Sequence, residues 1–256
     1  DNSSFVPKST QTTFPFFDNE SFLSEVTNLT SNVTTNLTAN YAFRFSDHKF
    51  NVMAGAAWDR TNFDNKSQFY QGFPDDEVLI NATSAEQVLG YSHNLLETGL
   101  NSLFSRLTYN YKNRYNLTAN FRTDASSRFG PGNQRAYFPS ISASWNIANE
   151  DFLVENETFN TLRLRASAGR VGSTNVADFA YLQFFETTAA DVYNGSSAVV
   201  PNDNFPNKDI GWEETDEINF GLDFALFDSR LRANIDVYNR KTTGGLANTP
   251  IPLELG

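Results

Sequence analysis

The chain has 256 residues, with 19 Lys+Arg against 30 Asp+Glu, a formal net charge of -11, no Cys and only two His. Without Cys there is no disulfide scaffold, thiolate metal site or Cys nucleophile, and two isolated His do not make a His-rich metal centre. Net negative charge without a long basic run excludes nucleic acid as a partner, because phosphate neutralisation needs clustered Lys and Arg.

The N-terminus, DNSSFVPKST, has no charged region followed by an apolar core, so no signal peptide is expected. The longest apolar stretch, Val52 to Trp58, is far below the ~18 residues of a membrane-spanning helix. From there the dominant period is two. Leu37, Ala39, Tyr41, Phe43 and Phe45 alternate with polar or small residues, and after Ser46–His48 so do Phe50, Val52, Ala54, Ala56 and Trp58. The same pattern recurs at Leu107–Tyr111, Tyr115–Phe121, Ile141–Ile147, Leu162–Ala168, Ile218–Leu226 and Leu231–Val237. Such repeated alternation predicts strands with one apolar and one polar face.

The connections alternate too. Short turns are predicted at Ser46–His48, Asn113–Arg114 and Phe227–Arg230, and long polar loops at Arg60–Thr98, Thr123–Arg135 and Val171–Gly211. Loops beyond ~15 residues are unusual in compact domains. Short turns at one rim and long loops at the other are the layout of an up-and-down barrel. Parity requires Val171–Gly211 to contain no barrel strand or an even number, and Tyr181–Thr187 with Asp191–Val200 is the candidate hairpin. Phe152, Leu153 and Phe159, in the connection Ala148–Asn160, are expected to pack a helical turn at the short-turn rim, and His48 is expected to be exposed.

Arg44, Arg106, Lys112, Arg122, Arg163, Arg165, Arg232 and Asp236 lie on the polar faces. An Arg or Lys facing mid-bilayer costs about 2–4 kcal/mol, so these residues are expected to face a wet lumen, with Leu, Ile, Phe and Val toward lipid. Tyr109, Tyr111, Tyr115, Trp58 and Trp145 suit interfacial aromatic girdles. A soluble β-sandwich with the same alternation, its apolar face turned inward, remains open on period alone.

No catalytic constellation stands out. Asp75-Asp76-Glu77 and Glu213-Glu214 are read as solvated charge, Asp124–Gly132 lacks phosphate-loop spacing, and Asn202-Asp203-Asn204 has the oxygen ligands a Ca²⁺ site would use. No enzymatic activity, cofactor or metal is expected.

Three stretches carry a resemblance. Residues 106–153, RLTYNYKNRYNLTANFRTDASSRFGPGNQRAYFPSISASWNIANEDFL, are followed by LRLRASAGRVGSTN at 162–175 and IGWEETDEINFGLDFALFDSRLRANIDVYNRKTTGGL at 210–246. In order and spacing they resemble the SusC/RagA-type TonB-linked outer-membrane transporters. The resemblance implies an all-β fold in which the chain supplies about eight or nine strands of a larger, plugged barrel, fewer than the ~22 of plugged transporters. The whole of 1–256 then belongs to one barrel domain, with plug, signal peptide and barrel remainder absent from the chain.

It further implies a bacterial outer-membrane location and import of oligosaccharide or peptide. A SusD-like surface lipoprotein would be the partner, and TonB would engage through the plug. Phe63, Phe69, Tyr70, Phe73 and Tyr91, placed in the loop Arg60–Thr98, are the candidate substrate-binding aromatics. The alternative is a soluble cell-surface β-sandwich that binds carbohydrate or serves adhesion. The two readings differ in whether Leu117, Phe121, Ile141, Phe220, Phe224 and Ile235 face outward or are sealed between sheets.

Overall fold

The computed structural model describes residues 2–8, 20–153, 156, 158–193, 196–201 and 206–245. Its strands are β1 (Asn2–Val6), β2 (Phe22–Phe45), β3 (His48–Gln71), β4 (Gln87–Tyr111), β5 (Tyr115–Ser126), β6 (Arg135–Asn146), β7 (Phe159–Ser173), β8 (Phe185–Tyr193), β9 (Ser196–Pro201), β10 (Glu213–Leu226) and β11 (Leu231–Thr243). Two single 3₁₀ turns, Ala82–Ser84 and Ile147–Asn149, lie in connections between strands. No described helix is long and apolar enough to cross a membrane, which leaves crossing by strands open.

Every alternating segment is a strand. Nine strands form one sheet in the order β1-β2-β3-β4-β5-β6-β7-β10-β11, and β8 pairs only with β9. The connection from β7 to β10 therefore holds two strands outside the main sheet, as parity requires. Neighbouring in sequence is neighbouring in space, so each strand finds its partner through the connection that precedes it.

Turn chemistry closes the short rim. Lys112 and Asn113 adopt φ of 51° and 54°, and Arg114 N–H donates to the Tyr111 carbonyl at 2.9 Å. Two consecutive left-handed residues match the right-handed twist of the flanking strands. Phe227, Asp228 and Ser229 are left-handed in the β10–β11 turn.

Two expectations need correction. Arg60–Thr98 is not a loop, because β3 runs to Gln71 and β4 begins at Gln87. β2, β3 and β4 run for 24, 24 and 25 residues, more than twice the ~9–11 that cross hydrocarbon. Beyond that length a strand no longer needs an apolar face, so the period vanishes while pairing persists. Secondly, Phe152 is exposed; the helical turn is Ile147–Asn149, and Phe159 opens β7.

The chain divides into two compact units. The first comprises residues 1–33 and 59–98, the second 34–58 and 99–256. In the first, Leu23 and Ser21 are buried. In the second, the buried apolar residues are Ala57, Phe129, Ala136, Phe138, Ile210 and Ala225, mostly small side chains or loop residues.

Candidate functional site

The candidate site of the second unit is a sheet with two chemically opposed faces. Registers carry the apolar face from strand to strand. Leu117 lies opposite Ala143, Ala119 opposite Ile141 and Phe121 opposite Pro139. Ala143 lies opposite Ala166, Ala166 opposite Phe220, and Phe220 opposite Val237. Ile141 is 52 %, Phe220 62 % and Ile235 54 % exposed. Leu117 and Phe121 are exposed as well, and Phe224 is half-buried. No second layer covers them among the described residues, which overturns the sandwich alternative.

Aromatic rings edge this face at the short-turn rim. Phe43 and Phe50 stack at 4.9 Å, Phe50 and Tyr109 lie at 4.9 Å, Tyr111 and Tyr115 at 6.3 Å, and Tyr115 and Trp145 at 6.3 Å. His48 belongs to this row. It is half-buried against Tyr111 at 4.6 Å, with Nδ1 2.8 Å from the Tyr109 hydroxyl, so the expectation of a freely exposed His48 is corrected. Trp58 stands eight residues along β3 from Phe50, roughly 26 Å at ~3.3 Å per residue.

At the far end the same face turns charged. On β10 Ile218 is followed two residues earlier in the chain by Asp216, and on β7 Ala168 is followed by Arg170. Arg170 Nε donates to Asp216 Oδ1 at 2.7 Å, and its Nη1 lies 2.8 Å from Glu214. On β7 six residues separate the level of Trp145, which lies opposite Leu164, from the charged level at Arg170, roughly 20 Å along the strand at ~3.3 Å per residue.

Glu150 ties the aromatic row to the rim. Only 8 % exposed, its Oε1 accepts from the Tyr115 hydroxyl at 2.7 Å and Trp145 Nε1 at 2.8 Å, and its Oε2 accepts from Arg114 Nη1 at 3.0 Å. The hydrogen bonds from Tyr115 and Trp145, followed by the Arg114 charge, hold the Glu150 carboxyl below the usual range.

The opposite face is polar, as predicted. Arg165 donates to both carboxylate oxygens of Asp223 at 2.9 and 2.8 Å and reaches Asp236 at 3.1 Å. Arg106 donates to Asn120 Oδ1 at 2.7 Å, and Asn120 Nδ2 donates to Ser140 Oγ at 3.0 Å. Arg122 pairs with Asp124 at 2.8 Å, and Arg163 donates to Asn146 Oδ1 at 2.6 Å. Lys112 lies in a turn rather than on a strand. Side chains lie sideways across the sheet where the neighbour is Gly, as Phe104 does over Gly55. This wall can order water and polar solutes. The described residues hold no group of three or more metal-ligating side chains.

The five predicted aromatics fall in the first unit. Phe63, Phe69 and Tyr70 lie on β3 and Tyr91 on β4; only Phe73 is in a connection. Strand alternation puts Phe63 and Phe69 on one face and Tyr70 on the other. Phe69 stacks on Phe22 at 5.9 Å, Phe73 meets Phe5 edge-on at 5.2 Å, and the Tyr70 hydroxyl donates to the Gln68 side chain. Tyr91 is exposed beside His93, whose Nε2 lies 2.8 Å from Asp64. The structure does not gather them on one surface. Nearby, Asp75 accepts backbone N–H from Glu77, Val78 and Leu79 and so shapes its loop. Asn202-Asp203-Asn204 lies outside the described residues.

Sequence reasoning missed a small core in the long connections of the second unit. Phe129 is fully buried, 5.3 Å from Trp212, which lies 5.4 Å from Phe138 and donates from Nε1 to the Gln134 carbonyl at 3.0 Å. Arg128 pairs with Asp178 at 2.8 Å. The signal was Phe129 itself, a lone aromatic in the Gly- and Ser-rich run SSRFGPG.

Comparison with known proteins agrees with this geometry. The family model "TonB dependent receptor-like, beta-barrel" matches residues 1–254. TonB-dependent receptor P3 of Formosa agariphila is 32 % identical over 87 % of this chain and 22 % of that protein. TonB-dependent receptor SusC of Bacteroides thetaiotaomicron is 31 % identical over 90 % of this chain and 23 % of that protein. The chain thus spans under a quarter of the length of these relatives. The structure of the RagAB peptide transporter superposes with a TM-score of 0.86 at 24 % identity, covering 99 % of this chain and 28 % of that one, which bears on fold alone. These matches are to transporters rather than enzymes, located in the outer membrane, and with the family model covering nearly the whole sequence the chain belongs to the TonB dependent receptor-like β-barrel family.

Proposed function

We propose that this chain forms part of the barrel wall of a TonB-dependent importer of oligosaccharides or peptides in the bacterial outer membrane. In this reading the apolar face meets lipid and the arginine-bearing face lines the cargo path. A SusD-like surface lipoprotein captures cargo with the protein, and TonB pulls on a plug domain carried elsewhere in the protein. The observation that carries the reading is the two-faced, single-layer sheet, with Ile141, Phe220 and Ile235 exposed between an aromatic row and a charged level. The SusC and RagAB likenesses support import as the task, and the second of those proteins is named a peptide transporter.

The same reading keeps Phe63, Phe69, Tyr70, Phe73 and Tyr91 as candidate cargo contacts, with exposed Tyr91 the best placed. The test is uptake by cells with and without the full-length protein, offered fluorescent oligosaccharides and oligopeptides in parallel, with and without a protonophore. Protein-dependent, protonophore-sensitive uptake of one class is expected. Unchanged uptake of both, or a full-length protein monodisperse without detergent, would reject the proposal.

A further inference from the structure

The apolar face of the second unit is not evenly filled. Ala143 and Ala166 stand opposite each other in the β6–β7 register, between Leu117 on β5 and Phe220 on β10. Two facing alanines between taller side chains leave a groove of about 630 Å³, within the range of small-ligand sites. Tyr109, Tyr115 and Trp145 wall it at the short-turn end, and Phe220, Ile235 and Val237 wall the far side. The polar tips near its mouth are already engaged, because the Tyr115 hydroxyl and Trp145 Nε1 both donate to Glu150. They offer the groove only ring surface.

We propose that this groove seats one acyl chain of a phospholipid in the leaflet on the short-turn side. The inference rests on the membrane-facing reading of this sheet and adds a specific occupant. In hydrocarbon no hydrophobic gain distinguishes one apolar surface from another, so packing decides. A groove left unfilled forfeits dispersion contacts along its whole lining, and a flexible chain fills it where a rigid surface does not. A second copy brought up about a two-fold axis would present its own groove to this one.

The turns beside the groove carry cations and carboxylates together. Lys112 Nζ sits 5.5 Å from the centre of the Tyr111 ring and only 3.6 Å from Asp47, while Arg114 in the same turn is occupied by Glu150 and Asp151. Lys49 at this rim donates to Asn113, and of the two ion-paired cations Lys112 has the longer pair and the more exposed side chain, so it is the one that can exchange its carboxylate for a headgroup phosphate.

The test uses the full-length protein reconstituted with phosphatidylethanolamine carrying a mid-chain diazirine, photolysed and mapped by peptide mass spectrometry. Labelling of the peptides bearing Leu117, Ala143 and Ala166 is expected to exceed severalfold that at Ala54 and Ala56, which share the alternating face of β3 and lie outside this groove. Ala143→Phe with Ala166→Phe should lower it to the β3 level, and Lys112→Gln should lower it in part. If the Phe variants fail to fold, the wild-type contrast between the two surfaces decides alone. Even labelling, or photoproducts joining two copies through this face, would overturn the proposal. Labelling absent from both surfaces would instead reject the membrane placement itself, and the groove with it.

Discussion

The Arg165 guanidinium lies across the backbone of Gly221 to reach Asp236 on the next strand. A Cβ at position 221 would stand 2.6 Å from the Arg165 guanidinium carbon and 2.8 Å from Asp236 Oδ1. Gly221 is there because the ion network uses the space a side chain would take. Gly221→Ala should therefore cost the full-length protein about 1–2 kcal/mol, through displacement of the network rather than backbone conformation. A double-mutant cycle with Asp236→Ala, read by denaturant unfolding in detergent, checks this. The expected result is strong coupling, and additive effects would place the cost elsewhere.

Glu150 gives a pH signature. Its folded carboxyl titrates below its ordinary value, as does that of Asp151 beside Arg114. A depressed carboxyl pKa contributes stability that is fully present above the unfolded value, near ~4.3 for Glu, and is lost as pH falls through the lower folded value. Acid should thus loosen the Tyr115–Trp145 end of the sheet first. Tryptophan fluorescence of the full-length protein should shift below about pH 4, and Glu150→Gln should show the loosened spectrum already at neutral pH. A variant that titrates like the wild type would assign the transition to other carboxylates.

The two faces predict opposite tolerance to charge. Ala143→Arg on the apolar face should cost about 2–4 kcal/mol near mid-bilayer. Ser142→Arg, one residue away on the polar wall, should cost less than about 1 kcal/mol by the same logic. Folded fractions after refolding into lipid vesicles measure both. Equal penalties would contradict the assignment of faces.

What could be read from the residues alone follows the physics of the solvent. Within the bilayer span hydrocarbon enforces alternation, so Tyr115–Phe121 and Ile218–Leu226 announced their strands and even their facing. Residues 60–71 of β3 carry no such constraint. They hold their neighbours by polar pairs such as Asp64–His93 and Asn65–Asn28, and a polar strand looks like a loop. From sequence alone the candidate aromatics therefore look gathered on one loop, although Phe69 and Tyr70 point to opposite faces. The burial of His48 is equally illegible locally, because its partners Tyr109 and Tyr111 arrive from a strand about sixty residues away.

Phe129 was invisible in a different way, since its value lies entirely in tertiary contact. Its side chain is wholly buried against Trp212, in connections otherwise rich in Gly, Ser and Asn. Phe129→Ala should cost about 3–5 kcal/mol locally, as for a large buried aromatic. The loss should be confined to the connections after β5 and β7, because the strands are held by their own ladders and by lipid. Hydrogen exchange of the full-length protein in detergent should accordingly quicken at 127–134 and 206–212 and leave β5 and β6 protected. Quickening throughout β5 and β6 would show that this loop core stabilises the wall itself, and Phe129→Leu, which keeps apolar volume, should then restore protection to both.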